Sequence, residues 1–393
     1  MHRLNNNKIA LMDTTLRDGD QAAGVAFRRK EKEIIARALA EVGAQEIEVG
    51  IPAMGPEEVE SIKALVKLNL PLRVSTWNRS VISDLEASLR SGVTAVAISI
   101  PASDQQIARK LCQSREWALE KLGQAIYWAK ARGLYVTVGL EDASRADLDH
   151  LLAIGKEAER LKVDRLRFAD TLGILEPIGT YKIFSQLAKE IAIPLEIHGH
   201  NDLGMATANS VAAIQGGAVA ASVTLCGLGE RTGNAPLEEV AIALAQSCHI
   251  DCGINFEKLP SLCRLVSKIT RRPIAYHKPV IGRYAFTHSS SIHVDGFQKD
   301  RANYESYPPE KVGRRHRIAL GKYSGRKALE SVLAEEGIKV SERELDLLLL
   351  QVREASEEIK RPLRRSDILA LLPSSALAFS KSTDTRGNEP CFN

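Results

Sequence analysis

Short runs rich in valine and isoleucine recur along the first two thirds of the 393-residue sequence, and stretches of helical periodicity separate them. Eight such runs are present: IALMD (9–13), EIEVG (46–50), LRVST (72–76), AVAISI (95–100), LYVTVGL (134–140), RLRFAD (165–170), LEIHGH (195–200) and SVTLC (222–226). The intervening stretches carry apolar residues at helical spacing, which is typical of an amphipathic helix that ends at glycine. One example is the set Ile34, Ile35, Ala38, Leu39 and Val42 before Gly43. The pattern predicts a strand and a helix repeated eight times.

Nearly continuous apolar strands separated by helices are typical of a parallel sheet that is covered on its faces. Eight such units in about 250 residues match the size of a closed barrel. A doubly wound open sheet is the alternative, but it usually has fewer strands and often a glycine-rich phosphate motif after the first one. Here that position reads DTTLRDGDQ. We therefore predict an α/β fold, a TIM (β/α)8 barrel, over residues 1–255.

The repeat stops at about residue 256, and three further segments are predicted after it. Residues 256–323 form a linker and lid, with the stretch AFTHSSSIHVDGF and the basic run GRRHR. Residues 324–375 contain amphipathic patterns and are expected to form a small helical subdomain. Residues 376–393 are polar and are expected to be disordered.

Composition excludes several classes of protein. The 53 basic and 49 acidic residues give a net charge of only +4, so neither a nucleic-acid partner nor a membrane partner is expected, and GRRHR fits a solvated surface. No apolar run reaches transmembrane length, and the N-terminus lacks the apolar region of a signal peptide, so a cytoplasmic protein is expected. The six cysteines lack the spacing of a disulfide framework or a zinc ribbon.

Polar residues follow the predicted strands repeatedly, at the edge where a (β/α)8 barrel carries its active site. These residues are Asp13, Arg17 and Asp18 after the first strand, Glu48 in the second, Glu141 and Asp142 after the fifth, Asp170 and Thr171 after the sixth, His198, His200, Asn201 and Asp202 after the seventh, and Asn234 after the eighth. The sequence therefore predicts a site built from several strand ends.

His198 and His200 are two positions apart on a strand, so their side chains point to the same side and can share a ligand. An isolated pair of this kind is more often structural, but its position at a strand end favours metal binding. Asp18 becomes a neighbour if the barrel closes, and Asn234 can add an oxygen. This mixed set predicts Mg2+ or Mn2+, with Zn2+ or Fe2+ as alternatives.

Two histidines and one acid also describe the iron site of non-haem oxygenases, which is one alternative function. In those proteins the acid usually stands two residues after the first histidine, on an all-β scaffold. Here the acid comes early, the histidines come late, and helices alternate with strands.

Five motifs in this sequence resemble the signatures of the DRE-TIM metallolyase family. They are DTTLRDGDQ (13–21), EDASR (141–145), FADTLG (168–173), HGHNDLGMATANS (198–210) and GLGERTGNAPLEEV (227–240). Within this family the chain is similar to the acyl-CoA Claisen condensing synthases, which include isopropylmalate, citramalate and homocitrate synthases. It most resembles the homocitrate synthases of nitrogen-fixing bacteria in VSTWNRS and EDASR, and in ending soon after the helical subdomain. Lyases that cleave hydroxymethylglutaryl-CoA are a second alternative, which GERTGNAPLEE and the long segment after 256 disfavour.

The resemblance implies condensation of acetyl-CoA with a 2-oxo acid, 2-oxoglutarate, followed by hydrolysis of the thioester to homocitrate and CoA. It implies that Asp18, His198, His200 and Asn234 hold the divalent ion. Arg17 would stabilise the alkoxide that forms as the carbon–carbon bond is made, because its charge is permanent.

The acetyl methyl group must lose a proton, which requires a general base. The resemblance implies His293 in this role, with His288 as the alternative, and implies that Tyr304 and Glu141 assist. The alternative for each of these side chains is a solvated surface group.

The resemblance also implies that Gln21 and Thr171 bind the substrate carboxylates. Arg79 or Arg145 is expected to hold the distal carboxylate. A homodimer is expected, in which the segment after the barrel covers the partner's active site.

The sequence departs from the family pattern at two positions. Asp20 stands where the family usually has glutamate, and the shorter side chain is expected to change a supporting contact. Ser291 stands where related lids often have glycine, and it is expected to alter the bend of the loop, because serine accepts positive φ less readily.

Overall fold

The computed structural model describes residues 9–372. Eight parallel strands follow one another around a closed barrel, in chain order, and the first pairs with the last. They are β1 Ala10–Asp13, β2 Glu46–Glu48, β3 Arg73–Arg79, β4 Ala95–Pro101, β5 Tyr135–Glu141, β6 Arg165–Asp170, β7 Leu195–Gly199 and β8 Ala220–Val223. The (β/α)8 barrel predicted from the repeat is confirmed, and the open-sheet alternative is wrong.

Fourteen α-helices are present in the described residues. They are α1 Arg29–Val42, α2 Pro56–Lys67, α3 Ile82–Ser91, α4 Asp104–Gln106, α5 Arg115–Lys130, α6 Leu148–Arg160, α7 Pro177–Glu190, α8 Ala206–Gln215, α9 Leu237–Ser247, α10 Leu259–Thr270, α11 Ser291–Lys299, α12 Arg326–Glu335, α13 Glu342–Ile359 and α14 Arg365–Leu371. A π-helical turn, Ile107–Leu111, extends α4. A short parallel pair, β9 Thr287–His288 and β10 Arg317–Ile318, completes the list.

Local sequence explains where the barrel helices begin and end. Proline occupies the first position of α2 and α7, where its missing N–H and fixed φ are tolerated. Helix α1 buries Ile35, Leu39 and Val42 on one face and ends at Gly43, whose φ of +96° lies in the left-handed region. The barrel therefore receives one apolar stripe from each helix of this kind.

The register of the strands decides which side chains share a level inside the barrel. Ser99 of β4 lies beside Gly139 of β5, Gly139 lies beside Arg167 of β6, and Arg167 lies beside Glu196 of β7. Because side chains alternate between the two faces of a strand, these four residues point to one face together. Two of them are charged and two are small.

The chain divides into two compact units. Within the described residues, the barrel unit comprises 9–275 together with 279–281, and the second unit comprises 276–278 and 282–372. Helix α10 thus belongs to the barrel unit. The tail predicted at 376–393 lies outside the described residues. None of the helices within residues 9–372 is long and apolar enough to cross a membrane.

The second unit has an apolar core of its own. Its buried residues are Val294, Leu320, Ala328, Leu329, Leu333, Ile338, Leu345, Leu348, Leu349, Val352, Leu363, Ile368 and Leu372. Helix α13 begins with a capping box, in which the Ser341 hydroxyl accepts from the backbone N–H of Glu344 and the Glu344 carboxylate accepts from the N–H of Ser341.

Candidate active site

Asp18, His198 and His200 come together at one end of the barrel because β1 and β7 both border β8. His198 Nε2 lies 3.3 Å from Asp18 Oδ2 and 3.4 Å from His200 Nε2. One ligand atom from each of the three residues lies within 4.8 Å of the others, and all three residues are buried. This spacing is compatible with one ion bound by all three.

The ionisation of these side chains also fits a metal site. Burial and the neighbouring His198 lower the pKa of His200 to about 4, so the imidazole is neutral near pH 7. Burial opposes ionisation of Asp18, but Arg17 and His198 outweigh it and hold the pKa of the Asp18 carboxyl well below its usual range. A neutral imidazole and a carboxylate are the forms that bind a cation.

Asn234 lies next to His200 through an antiparallel backbone bridge. Its amide Nδ2 donates to the carbonyl oxygen of Leu228 at 2.9 Å, while its buried Oδ1 has no hydrogen-bond partner among residues 9–372. The preceding Gly233 has φ +91°, and a Cβ there would lie 1.9 Å from the carbonyl oxygen of Gly227. Only glycine fits this approach. Because Asn234 Oδ1 accepts no hydrogen bond among residues 9–372, it can serve as a fourth ligand.

Arg17 is held beside the candidate ligands by two acids. Its Nη1 lies 3.1 Å from Asp18 Oδ2, and its Nε donates to Glu48 Oε1 at 2.6 Å. A third contact, from Nη1 to Gln21 Oε1, measures 3.3 Å. The Arg17 side chain is 10% exposed, so a fixed cation borders the site.

A cavity of about 190 Å³ opens at this end of the barrel. The predicted site residues that line it are Arg17, Asp18, Gln21, Glu141, Thr171, His198 and His200. The Thr171 hydroxyl oxygen accepts from the backbone N–H of Asp142 at 2.8 Å, so its proton remains available for a ligand. Glu141 pairs with Lys110 Nζ at 2.5 Å, and both line the cavity.

Arg79 and Arg145 are engaged elsewhere and are not among the residues that line this cavity. Arg79 forms two bonds to Asp84, of 2.8 and 2.9 Å, and 63% of its side chain is exposed. Arg145 forms bonds of 2.6 to 3.0 Å to Asp142.

His293 and Tyr304 belong to the second unit, where their ring centroids lie 4.5 Å apart. The Tyr304 ring reaches α11 because Gly296 has no side chain, and a Cβ there would lie 2.5 Å from Tyr304 Cε2. His288, the alternative base, stacks on Phe297 with ring centroids 5.1 Å apart, and burial lowers its pKa.

The two departures from the family pattern have defined contacts. Asp20 accepts from the backbone N–H of Phe27 at 2.7 Å and pairs with Lys32 Nζ at 3.0 Å, so it ties the loop after β1 to α1. Ser291 is the first residue of α11, and its N–H donates to the carbonyl oxygen of Tyr323 at 3.0 Å. Its backbone is helical, so the expected strain at positive φ is wrong.

The barrel interior contains a chain of alternating charges that the sequence did not predict, except for Asp18, Arg17 and Glu48. We call it the charge chain; neighbouring members lie 2.6 to 3.1 Å apart, in the order Asp18, Arg17, Glu48, Arg167, Glu196, Arg165, Glu46 and Arg73. Every side chain except that of Arg73 is at most 10% exposed. A signal was present, because EIE and RLR place like charges two apart on strands that are otherwise apolar.

Opposite charges within the charge chain keep Glu48 and Glu196 ionised despite their burial. Burial opposes ionisation of Glu48, but Arg167 and Arg17 outweigh it and lower the pKa of the Glu48 carboxyl to about 2. Arg167 and Arg165 likewise lower the pKa of Glu196 against the effect of burial. Glu48 therefore holds Arg17 and Arg167 on its two oxygens at once.

Comparison with known proteins identifies the family. Residues 8–266 match the HMGL-like family model, and residues 280–360 match the model for the homocitrate synthase post-HMGL domain-like segment. The chain is 43% identical to 2-isopropylmalate synthase 2 of Caldanaerobacter subterraneus, covering 92% of this chain and 94% of that protein. It is 42% identical to homocitrate synthase 1 of Nostoc sp., covering 93% and 97%, and 38% identical to (R)-citramalate synthase of Methanocaldococcus jannaschii, covering 93% and 74%.

Among solved structures, the fold is similar to that of hydroxymethylglutaryl-CoA lyase from Pseudomonas aeruginosa, with a TM-score of 0.60 and 22% identity over 68% of this chain and 95% of that chain. This likeness concerns the barrel fold alone. From the model matches and the relatives of more than 40% identity, the chain belongs to the HMGL-like (DRE-TIM) family and carries a homocitrate synthase post-HMGL domain-like segment.

Proposed function

We propose that this chain is a homocitrate synthase, which condenses acetyl-CoA with 2-oxoglutarate and hydrolyses the thioester to release homocitrate and CoA. One observation carries the proposal: Arg17 Nη1 lies 3.1 Å from Asp18 Oδ2, which itself lies 3.3 Å from His198 Nε2. A carbonyl bound at this place has a fixed cation beside the oxygen on which negative charge develops.

The relatives support the general reaction more broadly than the choice of acid. Three synthase names, for isopropylmalate, homocitrate and citramalate, occur at 38 to 43% identity. Condensation of acetyl-CoA with a 2-oxo acid is the reaction we infer from all three. The match of residues 280–360 to the homocitrate synthase post-HMGL segment favours 2-oxoglutarate.

Asp18, His198, His200 and Asn234 would hold a divalent ion, for which Mg2+ or Mn2+ suits the oxygen and imidazole donors. When bound, such an ion polarises the keto carbonyl of the substrate. Arg17 then donates to the keto oxygen as it becomes an alkoxide. The Thr171 hydroxyl and the Gln21 amide N–H groups donate to a substrate carboxylate, since the Gln21 oxygen already accepts from Arg17.

For the base we propose His293, with Tyr304 beside it. The acetyl methyl group gives a proton to the imidazole, and the resulting carbanion bonds to the keto carbon. The alkoxide takes up the proton that the imidazolium holds, which restores the neutral imidazole. Water then attacks the thioester carbonyl, the carbon–sulfur bond breaks, and CoA leaves as the thiol. Glu141, on the cavity wall, would support the base, and we propose a homodimer as the working form.

The proposal is tested by thiol release from acetyl-CoA with 2-oxoglutarate, 2-oxoisovalerate and pyruvate. We expect the highest kcat/KM with 2-oxoglutarate, loss of activity with EDTA, and recovery with Mg2+ or Mn2+. Arg17→Gln should lower kcat by about 100-fold or more with little change in KM, because its contact strengthens in the transition state. The matched control Arg115→Gln removes an exposed pair with Asp104 and should keep full activity.

Preference for 2-oxoisovalerate or pyruvate would overturn the assignment of 2-oxoglutarate. No CoA release with any acid, together with cleavage of hydroxymethylglutaryl-CoA, would replace synthesis by the lyase reaction. Oxygen uptake with Fe2+ would support the oxygenase instead.

A further inference from the structure

Arg167 differs from Arg165, the other buried arginine of β6, in that it lines the cavity. Its Nε and Nη1 bind Glu196 and Glu48 at 2.6 and 2.9 Å. Its Nη2 is buried and has no hydrogen-bond partner among residues 9–372. The residue is 4% exposed and lines the cavity. A buried N–H donor is costly without an acceptor, so this position calls for an anionic or carbonyl oxygen from a ligand.

The wall around Arg167 is made of small side chains, which leaves room for such a ligand. Ala97, Ser99, Gly139 and Ala169 all line the cavity. Gly139 lies beside Arg167 in the strand register, and the atom nearest to a Cβ at this position would be Ser99 Oγ, at 3.7 Å. The cavity therefore has unfilled space beside Arg167, because a carbon atom added at Gly139 would meet no close contact.

Glu48 fixes the distance between the two arginines that line the cavity. One of its oxygens accepts from Arg17 and the other from Arg167, at 2.6 and 2.9 Å. Arg17 adjoins the candidate metal ligands, whereas Arg167 lies one carboxylate further along the barrel interior. A ligand that satisfies both arginines must carry an oxygen near the metal ligands and a second acceptor some atoms away along its own chain.

Charge balance favours an anion as that second acceptor. The charge chain contains as many acids as bases, so a divalent cation held by Asp18 and the histidines leaves two positive charges in a buried region. A dicarboxylate substrate neutralises both, whereas a monocarboxylate leaves one. Unbalanced buried charge is unfavourable.

We propose that Arg167 Nη2 binds the distal carboxylate of a dicarboxylic 2-oxo acid and thereby selects such acids over monocarboxylic ones. This inference rests on the proposed function, since it assigns the far end of the same substrate. It replaces Arg79 and Arg145 in the role that the sequence suggested for them, because both are bound to acids away from the cavity wall.

The test measures kcat/KM for 2-oxoglutarate and for 2-oxopentanoate, which has five carbons but no distal carboxylate. The ratio of the two kcat/KM values is compared among wild type, Arg167→Lys and Arg165→Lys. Lysine keeps a cation between the acids but removes Nη2. Arg165 is the matched control. It lies on the same strand as Arg167 and also pairs with Glu196, but it does not line the cavity. We expect the ratio to fall about tenfold or more in Arg167→Lys, through KM, and to hold in Arg165→Lys. Mn2+ binding should be equal in all three.

An unchanged ratio in folded Arg167→Lys would overturn the inference, and so would an equal fall in both variants, since the effect would then come from the charge chain as a whole. If Arg167→Lys does not fold, Gly139→Ala decides: its added methyl group should lower the ratio of 2-oxoglutarate to pyruvate, and an unchanged ratio would overturn the inference. Wild-type enzyme that releases no CoA with 2-oxoglutarate would instead overturn the proposed function.

Discussion

Asp13 ends β1 with no exposure to solvent, and both of its carboxyl oxygens accept from Thr15, one from the backbone N–H at 2.9 Å and one from the hydroxyl at 3.0 Å. The Thr15 hydroxyl oxygen in turn accepts from the N–H of Leu225 at 2.8 Å. The stretch DTTLRDGDQ therefore contains two groups of residues with different roles. Its first residues hold the turn against the end of β8, and Arg17 and Asp18 face the cavity.

Asp13 provides a prediction about pH and stability. Burial raises the pKa of its carboxyl from 3.8 to about 7, against the Thr15 hydrogen bonds. The folded state therefore binds more protons than the unfolded state between about pH 4 and 7, so stability contributed by the protonated form is lost as pH rises through this range. The Asn side chain of Asp13→Asn stays neutral, so this variant does not lose that stability. We therefore expect the difference in free energy of unfolding, variant minus wild type, to increase by about 3 kcal/mol from pH 5 to pH 8.

Urea unfolding of both proteins at pH 5, 6, 7 and 8 measures this difference. Parallel pH profiles for wild type and Asp13→Asn would contradict the prediction. Other titrating groups affect both proteins alike, so the comparison isolates Asp13.

At the scale of elements, the sequence predicted all eight strands and the glycine that ends α1, but boundaries moved. Strand β3 extends to Arg79 rather than residue 76, and β8 spans Ala220–Val223 rather than 222–226. Hydrophobic periodicity locates an element, whereas its last residues depend on which neighbouring strand supplies hydrogen bonds. The sequence also did not predict which residues surround Gly43. A Cβ there would lie 2.4 Å from the carbonyl oxygen of Gly253.

Gly43 and Gly92 allow conformational strain to be separated from a steric clash. Both cap helices at positive φ, of +96° and +83°, but the atom nearest to a Cβ at Gly92 would be Val66 Cγ1, at 3.9 Å. Gly92→Ala should cost about 1–2 kcal/mol of stability from φ alone. Gly43→Ala should cost at least about 1 kcal/mol more, because backbone must move. Equal shifts in urea midpoint would show that the Gly253 segment yields without cost.

At the scale of the whole molecule, the barrel brings together charges that are far apart in sequence. Arg165 meets Glu46, and Arg167 meets Glu48, each across 119 positions. The second unit is built differently, because its core cluster consists of aliphatic side chains. Sequence periodicity predicted helices there, but the run LDLLLL does not form one apolar face: Leu348 is 1% exposed, whereas Leu347 is 55% exposed.

These adjacent leucines test the core of the second unit. Leu348→Ala should destabilise it by about 2–5 kcal/mol, because a fully buried side chain is removed. The control Leu347→Ala, on the same helix, should change stability by less than about 0.5 kcal/mol. Hydrogen exchange of amides in α12, α13 and α14 measures both. Equal acceleration in the two variants would contradict the burial of Leu348.

The sequence by itself determined the barrel, through the alternation of apolar strands with helices, and indicated the gathering of Asp18, His198 and His200 from their places at strand ends. It also indicated Arg17. Only the tertiary structure decided which further arginine faces the cavity. Arg79 and Arg145 meet Asp84 and Asp142, whereas Arg167 keeps one nitrogen free of protein acceptors among the described residues. The physical reason is that a guanidinium pairs with the acids placed beside it. For Arg79 and Arg145 these acids are near in sequence, Asp84 in α3 and Asp142 after β5. The acids that hold Arg167 come from β2 and β7, strands that sequence alone cannot align.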